Sequence, residues 1–378
     1  MIGFAVLLAV ATAHAEEPVE LSGFVSPGFA IIVRPNGVPE DRLSAGLSGS
    51  RAGVVFAGNP LDHWSFKTYL LVGGDSVDVL TAVSQTDLDS DGVPDSIESS
   101  TATVAREIVR ETSVTWSPRS AFGIRLGRMP IPFTSQAQTA DTALLFSSRA
   151  GPAEVFVSDD DLGGLVEFDL GEGIFLASGG LFNGTGLGAG AGDALGVLYM
   201  ARMDLQPLGS FGFDETRSGS GSDVGLPFRI GVGGGVIYHP YTTWDSAGYA
   251  DVSVADFRGS ASARAAIGGF SVATEILYRY QEDSLTHRPV EASGTYGQVG
   301  WLLPMGVEPI FRLGHVTEDM SFDPRLTNWA EAGMNYYPNY RSGDIPDAVR
   351  FTLQLLSENR VTERDLARGI ATQIQMKW

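Results

Sequence analysis

The densest cluster of candidate ligands is a run of twelve residues. Asp87-Leu88-Asp89-Ser90-Asp91-Gly92-Val93-Pro94-Asp95-Ser96-Ile97-Glu98 satisfies the pattern D-x-D-x-D-G-x5-E in full. In that spacing Asp87, Asp89, Asp91 and Asp95 direct carboxylates to one hard cation, and Val93 adds a backbone carbonyl. Glu98 can bind through both oxygens, while Gly92 permits the sharp turn. Acids this close repel one another unless a cation neutralises them, so the spacing predicts a Ca2+ site. A solvated acidic loop is the plainer alternative. The flanks read as strands, which favours a structural clamp over a switch.

The basic residues form the second constellation. Lys67 and Lys377 are the only lysines among 25 basic residues, and the rest are arginine. Lys67, Arg125, Arg202, Arg229, Arg264, Arg279, Arg312, Arg350 and Lys377 mostly alternate with aromatic and branched residues, as in Ile124-Arg125-Leu126 and Phe311-Arg312-Leu313. An arginine facing lipid near the bilayer midplane costs about 2–4 kcal/mol. If the alternation belongs to a membrane wall, the charges face inward, where Glu167, Asp204, Glu275, Glu308 and Glu331 join them. Two readings follow. The charges pair across strands and keep an interior wet, or they form a pore-lining basic track that lowers the barrier for anions. Arg106 and Arg110 alternate with Glu107 and Glu111, which puts charge on both faces of one stretch and predicts that part of it stands above the membrane.

Other chemistries are poorly supplied. With no cysteine, thiolate zinc sites, disulfides and cysteine nucleophiles are excluded. His63, His239, His287 and His315 sit in no recognisable nucleophile or metal motif, so no enzyme is expected; His239 and His315 read as half-exposed strand ends. With 45 acids against 25 bases, nucleic acid is not expected as a partner.

The elements that must position these residues show period two. In Ile370-Ala371-Thr372-Gln373-Ile374-Gln375-Met376-Lys377-Trp378, apolar and polar residues alternate to a terminal aromatic, as in a strand of a membrane barrel with an aromatic girdle. Comparable stretches predict sixteen strands over 19–33, 48–57, 64–83, 104–116, 121–128, 163–170, 174–182, 196–205, 228–239, 252–265, 270–281, 295–303, 307–316, 328–337, 348–356 and 369–378. The fold class is therefore all-β, a transmembrane antiparallel up-and-down barrel occupying 16–378. Short connections rich in Gly, Ser and Pro alternate with longer polar ones, including 84–103 with the calcium motif and 129–162. The segment 206–227 is long although parity puts it on the periplasmic side: a floppy turn, or a miscounted strand nearby.

Met1–Ala15 carries an apolar run closing on Ala13-His14-Ala15, which predicts a signal peptide, although no basic residue precedes the run. No later window has the 18 to 20 apolar residues of a membrane helix. Export without a membrane helix leaves a periplasmic, secreted or outer-membrane protein, and the strand pattern selects the outer membrane of a Gram-negative-type cell. Most of the acid excess falls in the expected outer loops, where divalent ions would bridge the rim to itself or to lipopolysaccharide.

Several stretches together resemble the phosphate-selective porin O/P family: Leu126-Gly127-Arg128-Met129-Pro130-Ile131-Pro132-Phe133, Leu144-Leu145-Phe146, Ser148-Arg149, Asp161-Leu162-Gly163, Gly180-Leu181-Phe182-Asn183-Gly184-Thr185-Gly186 and Ala201-Arg202-Met203-Asp204-Leu205-Gln206-Pro207-Leu208-Gly209. Their order and spacing carry the likeness over about 126–209. The resemblance implies a homotrimeric sixteen-stranded porin whose third outer loop narrows the pore. That loop here carries Arg149 but also Asp141, Glu154, Asp159, Asp160 and Asp161, and lysine is nearly absent, so phosphate selectivity does not carry over. The expectation is passive diffusion of small hydrophilic solutes or ions with a possible anion preference. The alternative is a calcium-stabilised structural or adhesive barrel without transport.

Overall fold

The computed structural model describes residues 19–34, 43–46, 51–73, 76–86, 96–105, 109–156, 160–184, 195–210, 213–216, 227–244, 251–285, 287, 289–320, 324–338, 349–362 and 365–377. Nineteen ladder segments join into sixteen staves, because three staves are each broken once. These are β1 (Glu20–Ser26 resumed at Gly28–Val33), β2 (Leu43–Gly46 resumed at Arg51–Leu61), β3 (Trp64–Gly73), β4 (Val109–Arg119), β5 (Phe122–Met129), β6 (Asp161–Leu170), β7 (Phe175–Phe182) and β8 (Leu195–Gly196 resumed at Leu198–Leu205). They continue as β9 (Arg229–Trp244), β10 (Asp251–Ile267), β11 (Phe270–Asp283), β12 (Pro289–Trp301), β13 (Val307–Glu318), β14 (Arg325–Tyr336), β15 (Val349–Arg360) and β16 (Asp365–Lys377). The break in β1 falls at Pro27, which has no N–H to give a ladder.

Each stave pairs antiparallel with the next, and β16 pairs back onto β1 through Phe24↔Lys377 and Gly28↔Gln373. The sheet is closed and leaves no edge. Alternation sets the two faces. In β8, Leu198, Met200, Arg202 and Asp204 are buried while Tyr199, Ala201, Met203 and Leu205 are exposed. Phe168, Tyr199, Tyr238, Phe270, Trp301, Phe311, Tyr336 and Phe351 are likewise exposed, on the face that meets lipid. Among the described residues no helix is long and apolar enough to cross a membrane.

The apolar core lies inside the barrel. Met129, Ile131, Phe133 and Phe156 pack on Leu165, Phe182, Leu198, Met200, Ile237, Leu277, Ala292 and Val316. The first four belong to the end of β5 and to the third outer segment, L3 (130–160). Among its described residues L3 contains a 3-10 turn at Asp141–Ala143, one short α-helix, α1 (Gly151–Phe156), and otherwise irregular chain.

Several boundaries differ from the sequence expectation. The third strand does not run on to Val83, and 84–103 is not an open loop. Ser76–Thr86 instead pairs with Ser96–Ala105 as a separate hairpin, with Ser84↔Glu98 and Thr86↔Ser96 in register. Alternating Val, Thr and Ile favour strand on both arms. The upper ends of β9 to β12 extend further than expected: Tyr241–Trp244 pairs with Asp251–Val254, and β12 begins at Pro289. The two-faced charge around Arg110 is a bulge. Leu70 faces Val109 and Tyr69 faces Glu111, so Arg110 is the extra residue and the phase of the strand slips there. Arg106, Asp87–Asp95, Asp159, Met1–Ala15 and Trp378 lie outside the described residues.

Candidate functional site

Irregular backbone inside a barrel carries carbonyls that neither a ladder nor lipid can satisfy. In L3, wall side chains serve them. Arg202 Nη1 and Ser260 Oγ both donate to Phe133 O, each at 2.8 Å. Arg350 Nη1 donates to Leu144 O at 2.6 Å, Arg312 Nη1 to Ser148 O at 3.0 Å, and Arg258 Nη1 to Phe156 O at 3.2 Å. Asn335 Nδ2 reaches Leu145 O and Gln375 Nε2 reaches Thr142 O, while Glu275 accepts from Ser135 N at 2.8 Å. All these partners stand on β8 and β10 to β16, so L3 is pinned against one side of the barrel. The glycine run of β9 makes room for it. A Cβ on Gly235 would lie 2.5 Å from Phe133 O.

Each pinning arginine is also held by a neighbour. Asp204 binds Arg202, Asp256 binds Arg258, Glu331 binds Arg312 through Nε, and Gln375 Oε1 accepts from Arg350. Arg279 shares Asp256 at 2.8 Å. The charges are therefore spent on docking and on each other. Arg258 escaped the sequence reading, although its alternation with Asp256 and Ser260 carries the same signal.

A second segment meets L3 from below. The connection from β8 to β9 begins and ends at the periplasmic rim, yet residues 213–216 touch L3. Thr139 Oγ1 donates to Phe213 O at 2.8 Å, and Glu215 N donates to Ala143 O at 2.9 Å. The Glu215 carboxylate accepts from Gln136 Nε2 at 3.0 Å and from Leu145 N at 3.2 Å. The Arg264 guanidinium lies 4.5 Å from the centroid of the Phe213 ring, and Arg229 Nη1 donates to Ser210 O. Residues 213–216 of the long connection thus lie inside the barrel against L3, and the strand count stands.

The opposite wall is built differently. Lys67 on β3, Glu111 on β4, Arg125 on β5 and Glu167 on β6 form an alternating ladder across four adjacent staves. The separations are 2.6 Å for Lys67–Glu111, 3.9 Å for Glu111–Arg125 and 3.0 Å for Arg125–Glu167. Side-chain exposure distinguishes Lys67 at 48%, Glu167 at 34% and Arg125 at 32% from the pins Arg202 at 1% and Arg312 at 2%, although Glu111 of the ladder is buried and Arg279 of β11 is as open as Arg125. Two cavities border the ladder. One of about 310 Å³ is lined by Lys67, Glu111, Ser113, Thr115 and Arg125, the other of about 320 Å³ by Glu167, Asp169, Gln138, Arg202 and Phe213.

Towards the outer end of this wall, Arg51 of β2 and Arg149 of L3 flank Asp141 at 3.4 and 2.8 Å, and Arg110 pairs with Asp160 at 2.8 Å. Burial alone would raise the Asp141 carboxyl. Arg149, Arg51 and Arg110 more than offset it and hold the group below the usual carboxylate range. Glu154 is exposed on α1 and Asp161 accepts from Gly184 N at 2.6 Å. Lys377 lies at the foot of β16. His239 is buried inside β9, not at a half-exposed end, because β9 continues to Trp244. His315 bonds Asn328 and Thr317. Among the described residues no group of three or more His, Asp or Glu could hold a metal.

The architecture is shared with solved outer-membrane proteins. An anion-selective porin from Comamonas acidovorans matches with a TM-score of 0.60 at 11% identity, over 96% of this chain and 99% of that one. The outer membrane channel DcaP of Acinetobacter baumannii matches at 0.58 and 11%, over 95% and 97%. The trimer form of OmpT from Vibrio cholerae matches at 0.55 and 10%, over 96% and 99%. No individually curated protein sequence matches. The family model for phosphate-selective porin O and P, however, matches residues 87–376. A closed sixteen-stave barrel with that match over most of its length belongs to the phosphate-selective porin O and P family.

Proposed function

We propose that solutes cross this outer-membrane porin along the β2 to β6 side of the lumen, between L3 and the Lys67–Glu111–Arg125–Glu167 ladder. The observation that carries this path is the contrast between the walls. Arg202, Arg312 and Arg350 are buried against L3 carbonyls, whereas Lys67, Arg125 and Glu167 of the ladder are partly exposed and the ladder borders two cavities. On this reading L3 is the constriction, and cargo is a small hydrophilic solute or ion. The ladder itself is balanced, and Arg51, Arg110 and Arg149 against Asp141 and Asp160 leave one positive charge. That favours a weak anion preference over selectivity for phosphate. In planar bilayers under a salt gradient, Lys67→Gln combined with Arg125→Gln moves the reversal potential toward cations. Silence from folded wild-type protein would refute the channel reading.

The remaining assignments rest on sequence and on likeness. The chain is exported by cleavage near Ala15 and assembles as a homotrimer, as the trimer form of the OmpT relative does. The calcium motif joins the two arms of the Ser76–Ala105 hairpin. The Thr86↔Ser96 pair draws the ends of that acidic loop together, as a single bound cation requires. Asp87, Asp89, Asp91, Val93, Asp95 and Glu98 would hold Ca2+ there as a clamp, and the acidic rim would contact lipopolysaccharide through divalent ions.

A further inference from the structure

A passive pore is usually regarded as narrowed from the outside, by a loop that folds inward. Here the narrowing element is held from both sides. L3 hangs from β5 and β6 at the outer end, and its Gln136–Leu145 stretch rests on residues 213–216, which rise from the periplasmic rim. The contact involves four hydrogen bonds, two of them to the Glu215 carboxylate and one through its N–H. Glu215 bonds the side chain of Gln136, and Gln136 in turn accepts from Ala150 N at 2.7 Å and gives its carbonyl to Arg149 Nε at 3.2 Å. Arg149 then binds Asp141. A chain of polar contacts thus runs from the periplasmic segment to the charged cluster beside the path. Phe213 of the same segment also lines the 320 Å³ cavity.

We infer that Glu215 is a positioning residue for permeation. From the periplasmic side it fixes the height of the Gln136–Leu145 stretch, and with it the placement of Arg149 and Asp141 against the path. The wall arginines fix L3 laterally on β8 to β16; Glu215 supports its Gln136–Leu145 stretch from the β8 to β9 connection. Four acceptor and donor groups of L3 are satisfied by this support, and in its absence water must replace them, which loosens the loop into the open side. The periplasmic segment is in this sense a second, inner determinant of pore width.

The test uses full-length protein in planar bilayers, with folding verified by heat-modifiable migration. Glu215→Ala removes both carboxylate contacts, and single-channel conductance should rise about twofold with increased current noise. Glu215→Gln retains one acceptor oxygen but turns an NH2 donor toward the other N–H, and should show a smaller rise than Glu215→Ala. Thr139→Val, which cuts only the tie to Phe213 O, should show a smaller rise. Wild-type conductance and noise in both Glu215→Ala and Thr139→Val would overturn the inference. Equal shifts of reversal potential in the Ala and Gln variants at unchanged conductance would also overturn it, because Glu215 would then act only as a charge. The channel reading fails on a different observation, silence of the wild type.

Discussion

Replacing Arg312 by methionine separates a buried pin from a pore-lining charge. Arg312 is 1% exposed; it binds Glu331 through Nε and donates to Ser148 O at 3.0 Å, and its guanidinium lies 4.3 Å from the centroid of the Phe146 ring. Methionine fills much of the same volume but leaves the Glu331 carboxylate buried beside an apolar chain. Breaking one half of a buried ion pair costs about 3–5 kcal/mol. Removing both charges, as Arg312→Met with Glu331→Leu, eliminates that penalty. What remains is an unpaired Ser148 carbonyl, about 1–3 kcal/mol, because the loop still lies against the wall. The double variant should therefore be more stable than Arg312→Met alone by about 2 kcal/mol. Urea unfolding of the barrel in lipid vesicles, followed by tryptophan fluorescence, measures both differences. A cost under about 1 kcal/mol for the single variant would show that Arg312 is solvated and lines the path after all. A double variant as unstable as the single one would show that the pair is not desolvated as a unit.

Two further outcomes follow from charges outside the membrane strands. Asp141 is held below its ordinary pKa of 3.8 by Arg149, Arg51 and Arg110 against the opposing effect of burial, so its docking contribution is complete above that value and is lost only as pH falls through the lower, folded value. The difference in conductance between wild type and Asp141→Asn should stay constant from neutral pH down to 3.8 and disappear only below it. For the acidic loop, a calcium chelator should lower the melting temperature of the wild type yet leave an Asp89→Ala, Asp91→Ala variant unchanged in a thermal unfolding scan.

How much of this was legible in the sequence depended on whether a periodic pattern carried it. Alternation placed the sixteen staves and put Arg202, Arg312 and Arg350 on the inner face, because a membrane wall penalises the opposite choice. Alternation is silent on what a side chain meets once inside. The partner of Arg350 is the carbonyl of Leu144, a residue 206 positions away on an aperiodic segment, and nothing local announces it. The same applies to Phe213-Asp214-Glu215-Thr216, four residues without strand or helix pattern that reach L3 by folding inward. At Arg110 the pattern was present but misleading, because one inserted residue reverses the phase of everything beyond it. The hairpin over Ser76–Ala105 obeyed period two as well as any stave. Only its pairing partner, its own other arm rather than the barrel, distinguished it.

The division of the lumen explains why net charge is a poor guide to what this barrel passes. A formal charge of -20 would by itself suggest cation transport, and a wall rich in arginine would suggest the reverse. Neither total acts on a solute. Arg202, Arg258, Arg312 and Arg350 face L3 and their neighbours: the first three are neutralised by a carboxylate within hydrogen-bonding distance, and Arg350 is buried against the Leu144 carbonyl and the Gln375 amide oxygen. The charges that a solute can meet are those left partly exposed, Lys67, Arg125 and Glu167, with Glu111 buried between the two bases and the Arg51, Asp141 and Arg149 group above them. Across these few residues the signs nearly cancel, and their order matters more than their sum. A ladder that alternates from β3 to β6 sets up a field across the path rather than along it. Such a field orients dipolar solutes and discriminates only weakly between free ions.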